Sequence, residues 1–278
     1  MREQLLPPVT RRLKRRTGLD TFYYGNFVTD EGGAGSGWMT YTHHPRFGSN
    51  YRGLTNRLDL LLETYSYLRF EERVFTTYEF LAEILRFVSE RERDVIQVVE
   101  SSQRPPDRVA VRYRLEAFDA PVEILTREPR TLDGQPVSVT IPHFARFVGT
   151  EVVERPWAYA VPEAVALHLR RHGLVVEQLA QDRVAAVEIA RVEVARSEGS
   201  RKILEAAASG EKELQADYRR ETRVLAAGAY LVPTEQPLGA IAVYLCEARS
   251  DDGIVACGIV PEPAPGAEFP VWRVVEAV

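Results

Sequence analysis

Residues 101–107, SSQRPPD, separate two kinds of hydrophobic periodicity, and no single-layer fold accommodates both. Upstream, Val74, Tyr78, Leu81, Leu85 and Val88 step by 4, 3, 4 and 3, which predicts a helix over 71–99. That stripe is expected to face inward, with Glu72, Arg73, Glu79, Glu83 and Arg86 mostly outside it. Downstream, Val109, Val111, Tyr113 and Leu115 alternate with Arg108, Arg112 and Arg114, the period of a half-buried strand. The chain therefore reads as an α/β portion over 1–100 followed by a β-rich domain over 107–278.

Other elements follow from local chemistry. Residues 9–17 carry five basic side chains between Pro7-Pro8 and Gly18, which predicts a short, solvated basic helix. Four glycines within 29–38, TDEGGAGSGW, suit a surface loop that lacks the Gly-Lys-Ser/Thr of a phosphate loop. The apolar run 58–62, LDLLL, predicts a short strand buried on both faces, with Glu63 at its carboxyl end. In the second half, strands are expected near 122–125, 137–141, 152–153, 187–194, 213–222, 230–232, 240–246 and 271–275, with one helix over 162–173. Residues 197–210 fit neither period.

With 45% hydrophobic residues, the 278-residue chain can bury a real core. Its 35 basic and 40 acidic side chains leave a net charge of −5, which argues against a nucleic-acid partner. No apolar run approaches the ~20 residues of a membrane span, and the first residues show no signal-peptide pattern. Cys246 and Cys257 are too few for a disulfide framework; two unlinked, buried thiols on neighbouring strands are expected.

The five histidines are the first candidates for metal chemistry. His168 and His172 stand four apart on the expected helix, but Leu169 and Arg170 occupy the place of a zinc-protease glutamate, and the pair reads as a helix surface. His43 and His44 should diverge on extended backbone and make a poor chelate unless other ligands arrive; His143 looks structural. Ser36 lacks the setting of a nucleophile elbow. Glu63 remains: partial burial after three leucines would raise its pKa toward a general base, the alternative being an ion pair with Arg57 or Arg73.

Around Glu63 the residues become more specific. The stretches 22–27 (FYYGNF), 38–41 (WMTY), 45–63 (PRFGSNYRGLTNRLDLLLE) and 64–74 (TYSYLRFEERV) resemble the end of the catalytic domain of zinc carboxypeptidases of the carboxypeptidase A type. A bacterial branch with a C-terminal β-rich extension is similar further on, at WAYAVP (157–162), LRRHG (169–173), GAYLVPTEQPL (228–238), SDDG (250–253) and FPVWRV (269–274). The resemblance implies an α/β chain comprising the C-terminal portion of a mixed-sheet carboxypeptidase domain and a β-rich domain.

It further implies hydrolysis of C-terminal peptide bonds, with Glu63 as the catalytic general base and acid. Arg46 and Tyr51, in the loop before the expected strand, would bind the substrate's terminal carboxylate. The family's zinc ligands, a His and Glu three apart and a later His, have no counterpart here, so no metal ligand is expected and zinc belongs to a full-length enzyme. The expected partners are a peptide or protein C-terminus and a missing front half, or another copy of the chain, since an incomplete layer exposes apolar faces. A non-catalytic binding or assembly module is the alternative. The resemblance suggests a secreted or periplasmic enzyme.

Overall fold

The computed structural model describes residues 1–29, 35–128, 130–131, 133–193 and 214–278. The helices are α1 (Leu6–Thr17), α2 (Gly48–Leu54), α3 (Phe70–Glu90), α4 (Glu92–Ser101), α5 (Glu163–Arg171) and α6 (Gly239–Cys246). The strands are β1 (Asn26–Thr29), β2 (Gly35–Met39), β3 (Arg108–Ala117), β4 (Val122–Glu128), β5 (Gln135–Ile141), β6 (His143–Glu154), β7 (Ala158–Val161), β8 (Glu177–Gln178), β9 (Arg183–Val192), β10 (Ala216–Leu225), β11 (Tyr230–Pro233) and β12 (Glu268–Val274). The protein is therefore of mixed α/β class. Two compact units interleave along the chain: the first takes residues 1–42, 58–100 and 115–146, the second 43–57, 101–114 and 147–278. The division thus departs from a simple cut at 101–107, because β3 and β6 run through both units.

In the first unit, α1 forms as its sequence predicts. Prolines occupy its first turn, Lys14, Arg15 and Arg16 complement the negative end of its dipole, and Gly18 closes it at φ 79° with its N–H on the Lys14 carbonyl at 2.9 Å. A hairpin, β1–β2, pairs Phe27 with Trp38, and β2 runs parallel to the start of β6. Residues 30–34 of the expected glycine-rich loop lie outside the described residues; the rest of it belongs to this hairpin. The β4–β5 hairpin pairs Val122 through Glu128 with Ile141 through Gln135.

Two expectations fail in this unit. The helix expected over 71–99 is broken at Arg91 into α3 and α4. More consequentially, α3 is turned over: its buried residues are Glu79 and Glu83, while Val74, Tyr78, Leu81 and Leu85 are 47–65% exposed. The carboxylates face α1, where Arg16 forms an ion pair with Glu79 and lies 3.3 Å from Glu83, and Arg12 meets Glu90 at 2.6 Å. Residues 58–62 are not a strand but irregular chain, with Leu61 60% exposed.

The second unit is conventional. A six-stranded antiparallel sheet in the order β10-β9-β12-β7-β11-β8 packs with α5 and α6 over a core that includes Tyr159, Leu169, Val187, Val232, Val243, Ile254 and Phe269. Residues 240–246, expected as a strand, form the buried helix α6, because a short continuous apolar run fits either element and only its neighbours decide. Its start requires Gly239: a Cβ there would lie 2.0 Å from the Thr234 carbonyl oxygen. The strands expected at 187–194, 213–222, 230–232 and 271–275 correspond to β9, β10, β11 and β12; residues 194, 213 and 197–210 lie outside the described residues. Cys246 and Cys257 are unlinked, but the first lies in α6 and the second is exposed in a turn, so neither is on a strand. Among the described residues no helix is long and apolar enough to cross a membrane.

Candidate functional site

Polar chemistry concentrates in the second unit, where two short segments meet. The first, residues 43–51, is set by a turn in which the His44 carbonyl accepts from the Phe47 N–H and from Asn50 Nδ2, both at 3.1 Å. Helix α2 follows directly. The second is the turn 250–253, SDDG, placed by the Asp251 N–H on the Val111 carbonyl at 3.0 Å and the Ile254 N–H on the Leu245 carbonyl at 3.0 Å. These bonds lock the two aspartates into the interior, at 8% and 2% exposure for Asp251 and Asp252.

Asp251 receives a full set of donors. Its Oδ2 lies 2.8 Å from Nε2 of His43 and 3.3 Å from the Tyr113 N–H, and its Oδ1 accepts from the Tyr244 hydroxyl. Burial pushes the Asp251 carboxyl up, but the bonds from His43 and Tyr244 outweigh it and hold the group below the usual carboxylate range. The Tyr244 phenol is raised well above its ordinary value, by burial and then by the adjacent carboxylate. His44 brings its ring beside that of His43, with centroids 4.3 Å apart and planes tilted by 39°. The two rings thus lie side by side, against the expected divergence.

Asp252 holds Arg46. The guanidinium Nε lies 3.2 Å from Oδ1, and Nη2 also bonds that oxygen. Arg46 remains half exposed and lines an open cavity of about 590 Å³ together with Glu247, Ser250, Ile254 and Phe269. On that cavity's wall Glu247 is fully buried and accepts from the hydroxyls of Tyr159 and Tyr218, with Arg273 Nε at 3.3 Å. Burial and then Glu247 raise both phenols, so they stay protonated donors.

Tyr51 is engaged elsewhere. Its hydroxyl lies 2.8 Å from Nδ1 of His172, whose Nε2 is 3.1 Å from Nε2 of His168. Burial, then Arg171 for His168 and His168 for His172, lowers both imidazole pKa values. Arg46 and Tyr51 therefore share one stretch of the second unit but different partners. Glu63 belongs to the first unit, on irregular, exposed chain. The partial burial expected of Glu63 is absent. His143 is structural as expected, buried among the rings of Phe22, Tyr23 and Phe118.

Asp251, Asp252, Tyr244 and Tyr113 are the site residues that sequence reasoning missed. The doubled aspartate before glycine was a visible turn signal, but nothing in the sequence tied it to histidines more than two hundred positions away. In comparisons with known proteins no family model, no curated protein and no solved structure matches this chain.

Proposed function

We propose that this chain is part of a zinc-dependent metallocarboxypeptidase, acting on peptide or protein C-termini, with Glu63 as its general base and acid. The observation that carries the reading is the inverted burial of α3. The exposed stripe Val74, Tyr78, Leu81 and Leu85 follows immediately on the resembling stretch 45–74, where Leu61, Tyr65, Tyr67 and Phe70 are 56–80% exposed. So much apolar surface in one stretch marks a face that another body covers, and a catalytic front half is the body the resemblance supplies. The donor set of that family's zinc, a His and Glu three apart and a later His, does not map onto these residues.

The chain's own contributions are then few. Glu63, exposed at the end of LDLLLE, is accessible to exchange protons with a bound substrate. Arg46 presents a half-exposed guanidinium suited to a terminal carboxylate, with Asp252 fixing its orientation. A second reading, a non-catalytic binding or assembly module, draws on the extensive buried core of the second unit.

The test uses the longest natural polypeptide that contains this sequence, identified by the intact mass of the endogenous protein. In it, Glu63→Gln should reduce turnover by roughly 10²–10⁴-fold while zinc content and folding stay unchanged. Near-normal turnover in the variant would remove Glu63 from the mechanism. An intact mass of 31.4 kDa, the mass of this chain alone, with no peptidase activity would favour the module.

A further inference from the structure

The cluster at the turn 250–253 offers more than a hydrogen-bonded pair. His43, His44 and Asp251 each offer one ligand atom, and these three atoms lie within 4.8 Å of one another. We propose that they form a divalent transition-metal site, zinc being the best-suited ion, held by two imidazoles and one carboxylate and completed by water. The site stands on the second unit alone and does not depend on the carboxypeptidase reading.

Three observations support it. The donor set is chemically apt: two neutral nitrogens and one carboxylate oxygen match an open three-ligand zinc site, and a borderline ion prefers imidazole to an all-oxygen cage. The carboxylate is already oriented from behind, because Tyr244 occupies Oδ1 and leaves Oδ2 toward His43. Outer partners of this kind fix ligands in metal sites. The electrostatics also permit a cation, since Arg46 and Arg249, each two positions from a ligand, are paired with Asp252 and Glu151. Asp251 is buried, while the His43 side chain keeps 16% exposure to solvent.

The adjustment required is small. With metal–ligand bonds of about 2.0–2.1 Å, tetrahedral ligand atoms sit roughly 3.3 Å apart, so a 4.8 Å spread must contract by about 1.5 Å through side-chain rotation. His43 and Asp251, now 2.8 Å apart, would exchange their shared proton for the ion and separate slightly. The His43-His44 dipeptide alone makes a poor chelate; Asp251 supplies the further ligand.

The experiment titrates Zn²⁺ alone, and separately Co²⁺, into the chelator-treated chain, with calorimetry for stoichiometry and cobalt absorption for ligand geometry. One equivalent of Zn²⁺ should bind, with cobalt bands of a four- or five-coordinate nitrogen and oxygen site. His43→Gln should weaken binding about tenfold or more with circular dichroism unchanged. Asp251→Asn should do the same; because Asp251 is buried and could be needed for folding, the more exposed His43 carries the decision. No zinc uptake by the wild-type chain would overturn the site. So would uptake that survives His43→Gln and is lost in His168→Ala, which would place the ion on α5.

Discussion

Helices α3 and α6 show how differently the two units treat apolar sequence. In α6 all but one of the eight residues are buried, and the helix needs no polar face because the unit surrounds it. In α3 the periodicity is strongly amphipathic, yet the face turned inward carries Glu79 and Glu83, neutralised by Arg16, and the apolar stripe is left in solvent. A moment in the sequence says that a helix has an apolar side; it does not say which body that side meets. The second unit buries its apolar helix within itself, whereas the first buries Val9 and Leu13 of α1, pairs the inward carboxylates of α3 with arginines and leaves the apolar stripe of α3 exposed.

If that contrast is right, equal truncations should have unequal effects. Leu169→Ala, at a fully buried position on α5, should cost about 3 kcal/mol in denaturant unfolding. Leu81→Ala, on the open stripe at 47% exposure, should stay within about 0.5 kcal/mol. A cost above about 2 kcal/mol for Leu81→Ala would mean that the stripe is covered in solution, and sizing with light scattering would then find an oligomer. Arg16→Ala comes next in size. It leaves Glu79 without its bonded cation and Glu83 with only Arg86, and should destabilise the first unit by on the order of 2 kcal/mol. Trp38 reports on the first unit and Trp157 and Trp272 on the second, so fluorescence with selected Trp→Phe backgrounds separates the two transitions. A loss seen only by the second unit's tryptophans would break the assignment of α1 and α3 to a charge-held pair.

The legible parts of the molecule are those whose signals are local. Helix α1 is written in Pro7-Pro8, its basic last turn and Gly18; β3 in the alternation from Val109 to Leu115; α5 in the run closed at Gly173. The illegible parts depend on neighbours. Residues 240–246 read as a strand because buried helices and buried strands have the same apolar composition, and LDLLL read as a strand although nothing pairs with it among the described residues. The site divides the same way. His43, His44, Arg46 and Tyr51 stood out by residue type, while their roles depend on Asp251, Asp252 and His172, which only tertiary folding brings to them.

The smallest effect concerns protons and again separates the units. His143 in the first unit is buried, and Arg2 Nη2 lies 3.4 Å from its Nδ1. Burial and then the Arg2 charge lower its pKa below the ordinary value of 6.5. The unfolded chain therefore binds a proton at a pH where the folded chain does not. Its contribution to stability is complete above about pH 6.5 and is lost as the pH falls through that value toward the folded pKa. Denaturant midpoints measured between pH 7.5 and 5 should fall, and His143→Phe should flatten the part of that fall reported by Trp38. His168 and His172 in the second unit are lowered in the same direction and should leave a residual slope in the signal of Trp157 and Trp272. An unchanged Trp38 slope in His143→Phe would show that the first unit's acid sensitivity lies elsewhere.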